Sequence, residues 1–382
     1  MSDTRLARRL GLRDSVVIGL GSMIGAGVFA APQPAARAAG TAMVIGLAVA
    51  ALVAYCNAMS SAWLAARYPE SGGTYVYGRE RLGEAWGVLA GAAFILGKLA
   101  SLCAMALTFG AYVAPDAERP LAVALVVAMT AVNALGVTKT AALTRVIVAV
   151  VLATLAALVV AALGGGDADA GRLTPLVPHG VGPFDVLESA AFLFFAFAGY
   201  ARIATLGEEV VEPERTIPRA ITTSFAIAIG VYALTVVAAL SVLGGDGVAG
   251  SKTPLADAVG SGAEPVVRAG AAIAAAGVLL SLLAGVARTA FAMADRGHLP
   301  RVFAAVSERR RTPVHAELAV GAIVVVAVLL LDLRGAIGFS SFCVLLYYAI
   351  ANGSALTLED RRRALPALGL IGCLTLAATL LS

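Results

Sequence analysis

Three glycines, Gly21, Gly25 and Gly27, lie within seven residues in the first membrane-length apolar stretch, 15–37. Glycine costs about 1 kcal/mol relative to alanine in a helix interior. The spacing therefore predicts a helix that is interrupted near its middle. The interruption frees backbone N–H groups, which carry partial positive charge at the start of a half-helix and bind carboxylates well.

Close helix packing is the alternative interpretation, because Gly21 and Gly25 also form a GxxxG motif. A dinucleotide-binding fingerprint is excluded, since the spacing is not GxGxxG and no strand–helix–strand unit surrounds it. Irregular backbone at membrane depth is tolerated only where it is buried in protein or lines a polar cavity. Interrupted helices of this kind form the substrate sites of secondary transporters.

Two basic residues inside apolar spans, Lys98 and Arg202, are candidate functional residues. Lys98 is at the middle of the span 85–112, where a charge costs at least about 2.5–3.5 kcal/mol. It is either a proton carrier or a structural lysine bound by backbone carbonyls. Arg202 stays protonated and therefore carries no proton. It either binds an anionic substrate group or pairs with Glu208 or Glu209 as a gate.

The sequence gives no indication of a metal centre or of catalytic residues. Its four cysteines are widely spaced inside apolar spans, and no CxxC or Cys/His pair occurs. We therefore expect no metal, no cofactor and no enzymatic activity. A membrane-embedded enzyme would need polar chemistry at the membrane interface, such as paired aspartates with metal-binding spacing, and the loops have none.

Composition indicates a polytopic membrane protein that resides in a lipid bilayer. Hydrophobic residues make up 60% of the 382 residues and charged residues only 14%, against roughly 25% in soluble domains. The net charge of +4 does not predict a nucleic-acid partner, because the basic residues cluster beside the apolar spans. Homo-oligomerisation is left open.

Eleven apolar stretches are long enough to be membrane helices. They are 15–37, 41–66, 85–112, 121–137, 141–163, 183–206, 219–243, 268–292, 316–332, 336–351 and 365–381. Nineteen Lys and Arg residues flank these spans on the N-terminal side of the membrane and six on the other. The positive-inside rule therefore predicts a cytoplasmic N-terminus in a multi-pass plasma membrane protein.

The sixth span repeats the feature of the first, because Gly199, Tyr200 and Arg202 interrupt an apolar helix at its centre. Interrupted first and sixth helices predict a five-plus-five inverted repeat, with an odd number of spans in each copy. The repeats would cover about 15–163 and 183–351, with an extra helix at about 365–381. All 382 residues would then form one transmembrane domain.

Five motifs, in this order, resemble those of the amino acid–polyamine–organocation (APC) permease superfamily. They lie in Gly21–Phe29, Pro69–Tyr75, Phe195–Tyr200, Gly207–Ile221 and Arg288–Pro313. The resemblance implies an all-α inverted-repeat transporter fold without a cofactor. It also implies the residues of the amino acid site, in which Met23, Ala26 and Gly27 frame the substrate carboxylate. Carbonyls near Phe195 and Ala198 would accept the substrate ammonium, beneath an aromatic lid at Phe195.

The chain also departs from the usual pattern of that superfamily. Members usually have twelve helices, and proton-coupled members carry a fifth-helix lysine where Val150, Val151 and Leu152 stand here. Members that accept cations often have a carboxylate after the sixth-helix glycine, where this chain has Tyr200 and then Arg202. We therefore expect a neutral or anionic amino acid, moved with protons or by exchange. The alternatives are a polyamine or organic cation transporter of the same fold, an enzyme or a channel.

Overall fold

A computed structural model of the chain describes residues 10–68, 72–135, 141–200, 210–305, 312–359 and 363–381. Within these ranges no β-strand occurs, and one isolated bridge joins Leu10 to Val210. In chain order the α-helices are α1 (Leu12–Met23), α2 (Gly27–Ala30), α3 (Pro32–Ala39), α4 (Met43–Arg67), α5 (Thr74–Leu82), α6 (Glu84–Val113), α7 (Glu118–Ala134), α8 (Ala141–Gly164), α9 (Pro183–Phe197), α10 (Pro213–Gly250), α11 (Pro254–Asp257), α12 (Glu264–Asp295), α13 (Val314–Leu330), α14 (Leu333–Leu356) and α15 (Ala364–Thr379).

Eight helical stretches of the described residues are long and apolar enough to cross a membrane. They are Leu12–Ala30, Pro32–Arg67, Glu84–Val113, Pro115–Ala134, Leu143–Gly164, Arg215–Gly250, Glu264–Asp295 and Leu333–Leu356. Two shorter apolar helices are α13 and α15. The fold is that of an all-α polytopic membrane protein, which confirms the prediction from composition.

Each of the eleven predicted spans contains a helix. The first predicted span is divided into α1, α2 and α3, and Gly40 then reverses the chain with a φ of 53° that favours glycine. Helix α10 begins before the predicted boundary, at Pro213, because proline is well suited to the first turn of a helix. Helical geometry in α10 is lost at Gly244, where φ is 68°, one residue beyond the predicted end.

The interrupted first and sixth helices lie in the interior of the helix bundle. Every residue from Met23 to Pro32 and from Ser189 to Ala198 is buried. Helix α9 packs against α3, α4, α14 and α15, and α6 packs against α12 and α14. The scaffold therefore holds both interruptions away from lipid, as irregular backbone inside a membrane requires. The repeat boundaries at 15–163 and 183–351 remain a prediction.

Candidate functional site

The first helix is interrupted at Ile24, Gly25 and Ala26, as the glycine spacing predicts. Helix α1 ends at Met23, and Ile24 leaves helical geometry with φ −79° and ψ 80°. The Gly25 N–H then donates to the Met23 carbonyl at 2.9 Å, which closes a three-residue turn. Helix α2 starts immediately afterwards at Gly27. The turn thus interrupts the helix over only a few residues.

The interruption leaves backbone donors without acceptors. Within the part of the chain that the structure describes, the N–H groups of Ala26, Gly27 and Val28 have no hydrogen-bond acceptor. All three residues are buried. Buried backbone N–H groups are almost always paired, so an unpaired set marks a place where a ligand group is expected. Their partial positive charge matches a carboxylate.

Helix α9 ends where the sequence predicts the sixth-helix interruption, by which we mean the turn at Ala198–Tyr200. Residues 201–206 of the predicted span lie outside the described residues. Helix α9 ends at Phe197, and the N–H groups of Ala198 and Tyr200 donate to the carbonyls of Phe195 and Phe197 at 3.4 and 3.3 Å. The turn at Ala198–Tyr200 follows directly. Arg202 lies outside the described residues, as do Glu208 and Glu209, so the predicted gate pairing stays a prediction.

The two interruptions contact each other through their backbones. A methyl group built on Gly27 would lie 2.8 Å from the Cα atom of Ala196, and one built on Gly199 would overlap the Ser22 carbonyl oxygen. Glycine is therefore required at both positions by close approach of the opposite backbone. The contact is reciprocal, because Gly27 directly after the first interruption contacts the last turn of α9, and Gly199 within the sixth contacts the last turn of α1.

A tyrosine that sequence reasoning did not select joins the two interruptions. The Tyr232 hydroxyl of α10 lies 2.7 Å from the Met23 carbonyl oxygen and 2.9 Å from that of Ala196, and donates towards both. Tyr232 is 1% exposed. The signal available in the sequence was a single tyrosine inside an apolar span, since a buried tyrosine hydroxyl normally finds a partner.

Aromatic rings line the sixth-helix interruption. Tyr200 stacks on Tyr348 of α14 with ring centres 4.8 Å apart, and Tyr200 also contacts Phe225 at 5.5 Å. The Tyr348 hydroxyl donates to the Ala198 carbonyl at 3.5 Å. The hydroxyl of Tyr200 is buried and has no partner in hydrogen-bond geometry among the described residues. Phe195, the expected lid, is buried with 8% of its surface exposed.

Lys98 lies in the middle of α6, which continues without interruption from Glu84 to Val113. Its ammonium nitrogen is 5.9 Å from the centre of the Phe94 ring, a cation–π distance. No hydrogen bond or ion pair joins this ammonium to any other of the described residues. Because the helix around it is continuous, its carbonyls already bond within the helix, so α6 offers no broken backbone to bind the lysine.

A small apolar cavity lies between the first and sixth helices. Its volume is about 10 Å³, and Val28, Ala196 and Tyr232 are among its lining residues. That volume is close to the minimum for a single water molecule. Among the described residues, no group of three or more His, Cys, Asp or Glu side chains is placed to hold a metal ion.

Comparison with known proteins identifies the family of the chain. The sequence profile of the amino acid permease family matches residues 10–382. A Mycobacterium tuberculosis protein named as an uncharacterized transporter is 60% identical, over 98% of this chain and 87% of its own length.

More distant relatives carry substrate classes in their names. Human cationic amino acid transporter 4 is 29% identical over 95% of this chain and 62% of its own length. The branched-chain amino acid permease BcaP of Bacillus subtilis is 26% identical over 81% of this chain and 71% of its own length. The interrupted helices and the full-length profile match agree, and the chain belongs to the amino acid permease family.

Proposed function

We propose that this chain is a secondary active transporter that moves an amino acid across the bacterial plasma membrane by alternating access. Its N-terminus lies in the cytoplasm, on the side where the sequence is rich in arginine. Family membership supports amino acid transport. The two buried helix interruptions in backbone contact support a central site that opens to each side in turn.

The unpaired N–H groups at the first interruption are the observation that carries the proposal. The substrate carboxylate binds the N–H groups of Ala26, Gly27 and Val28, which lack acceptors in the described structure. The substrate ammonium binds the carbonyls of Phe195 and Ala198 across the contact. A carbonyl oxygen has two lone pairs, so each of these can accept a further hydrogen bond.

The substrate is a neutral or anionic amino acid. No Asp or Glu occurs in residues 15–66 or 189–206, which include both interruptions. A cationic side chain buried at mid-membrane needs a carboxylate partner, since an unpaired buried charge costs several kcal/mol. Lys98, whose ammonium lacks an ion-pair partner among the described residues, adds a repulsive field for a second cation.

A cationic amino acid is the competing candidate, favoured by the name of the human relative. The name of the Bacillus subtilis relative favours branched-chain, and thus neutral, substrates at similar identity. The relatives therefore divide between the two classes. The lack of a carboxylate beside the interruptions supports the neutral or anionic class.

A ligand screen followed by transport tests the proposal. Purified protein is heated with single amino acids, polyamines and organic cations, and a compound that binds the folded state raises the melting temperature by mass action. Stabilising compounds are then radiolabelled and followed into proteoliposomes under an inward proton gradient, or against internal amino acid for exchange. Uptake of an amino acid is the expected result. Conductance without saturable uptake would identify a channel instead.

A further inference from the structure

The loop before α5 is attached to α14 by one tyrosine hydroxyl. The Thr74 backbone N–H donates to the Tyr347 hydroxyl oxygen at 3.1 Å, and both residues are buried. Thr74 is the first residue of α5, where a helix has N–H groups without acceptors inside the helix. A side chain 273 positions away in sequence therefore satisfies this donor.

Gly73, the residue before Thr74, also lies close to the Tyr347 hydroxyl. Its φ of 55° favours glycine, and a methyl group at this position would lie 2.8 Å from the Tyr347 hydroxyl oxygen. The glycine thus permits both the turn and the close approach. A loop that merely passed over the surface of α14 would need neither feature.

Tyr347 and its neighbour Tyr348 link this loop to the sixth-helix interruption. Their rings meet edge to face with centres 5.0 Å apart. Tyr348 in turn stacks on Tyr200 and donates to the Ala198 carbonyl. On its other side, Tyr347 contacts Phe94, the ring beneath the Lys98 ammonium, at 5.5 Å. One turn of α14 therefore contacts the loop and the sixth interruption.

We propose that Tyr347 is a positioning residue of the transport cycle. Its hydroxyl holds the loop at Gly73–Thr74 against α14 while the arginine-rich side of the protein is closed, and this bond breaks when that side opens. The inference rests on the proposed transport by alternating access. It adds a contact that controls opening and that does not touch the substrate.

Cys343 provides a native reporter for this opening. It lies one turn before Tyr347 on α14, is 4% exposed, and packs against Gly97 of α6. Variants that retain only Cys343, with alanine at the other three cysteine positions, are labelled with a membrane-impermeant maleimide in inside-out vesicles. A second set of variants retains only Cys103 of α6, which is 0% exposed. Its labelling rate reports loosening of the whole helix bundle.

We expect Tyr347→Phe to increase the labelling rate of Cys343 about tenfold and to leave the rate at Cys103 unchanged. The substitution keeps the ring but leaves the buried Thr74 N–H without an acceptor, and a tenfold shift is typical of such a loss. Tyr55→Phe is the matched control. The Tyr55 ring also belongs to an aromatic pair, but its hydroxyl has no hydrogen bond in the described structure.

Gly73→Ala disrupts the same contact from the loop side and provides an independent test. We expect it to accelerate Cys343 labelling as well, and we expect the double variant to exceed the larger single effect by less than twofold, because both changes break one contact. Unchanged Cys343 labelling in either single variant, or equal acceleration at Cys103, would overturn the proposal. Because labelling needs no substrate, this outcome is separate from a failure to find amino acid transport.

Discussion

Replacing Gly27 with alanine tests the backbone contact on which the proposed site depends. The new methyl carbon would lie 2.8 Å from the Ala196 Cα atom, whereas nonbonded carbons are most stable about 3.5–4.0 Å apart. One of the two interrupted helices must therefore shift by about 1 Å. Misplacement of this size in a binding site costs up to about 100-fold in function. We expect saturable amino acid uptake to fall by about 10- to 100-fold in Gly27→Ala.

Alanine substitutions at two further glycines provide comparisons for the loss of uptake expected in Gly27→Ala. A methyl group on Gly25 would lie 2.8 Å from the Val278 Cγ2 atom, a single side-chain methyl and not opposing backbone, so Gly25→Ala is expected to be milder. A methyl group on Gly230, in α10, would meet no atom within 4 Å. Gly230→Ala is the matched control. It should retain uptake and stabilise its helix by about 1 kcal/mol.

The assay is initial-rate uptake in proteoliposomes, together with substrate-induced thermal stabilisation of the purified protein. Monodisperse elution of each variant in detergent separates a damaged site from a misfolded protein. Uptake and substrate affinity at the wild-type level in Gly27→Ala would refute the assignment of the site to this contact. We expect the larger substitutions Gly25→Leu and Gly27→Leu to abolish binding in protein that still inserts into the membrane.

Three further predictions concern Tyr232, Lys98 and the charge of the substrate. Tyr232→Phe should lower the free energy of unfolding by about 1–2 kcal/mol and slow uptake, because the Met23 and Ala196 carbonyls lose a shared donor; an unchanged melting temperature would contradict this. Lys98→Ala should remove the pH dependence of uptake and spare counterflow exchange, and a normal pH profile in the variant would make the lysine structural. Excess arginine or lysine should compete poorly with labelled neutral amino acid, and strong competition by these alone would overturn the argument from charge.

The two helix interruptions could be predicted from the sequence because their causes are local. Glycine disfavours helix wherever it occurs, so three glycines within an apolar stretch indicated the turn at Ile24–Ala26 without any tertiary information. The same reasoning placed the end of α9 near Gly199. Composition and apolar length similarly predicted an all-α polytopic membrane protein, since a bilayer admits few alternatives.

The contacts between the interruptions could not be predicted, because they join residues far apart in the chain. Tyr232 bonds to the Met23 carbonyl across 209 positions, and nothing adjacent to either residue indicates the partner. The contact of Lys98 with Phe94 is local, since the two residues lie one turn apart on α6. Which other helices Lys98 faces depends instead on how α6 is rotated in the bundle. A single sequence indicates only weakly which face of an uninterrupted, wholly apolar helix points into the protein.

A site built from backbone atoms has a consequence for specificity. The carboxylate and ammonium of the substrate are common to all α-amino acids, and the N–H groups of Ala26 and Gly27 and the carbonyl of Ala198 recognise only these groups in the proposed site. Discrimination among substrates must then come from side chains at its border, such as Phe195 and Tyr200. The relatives of this chain include one named for cationic and one named for branched-chain amino acids, which agrees with such a division of roles. On this argument, exchanging border side chains changes the substrate, whereas changing Gly27 or Gly199 weakens the binding of every amino acid.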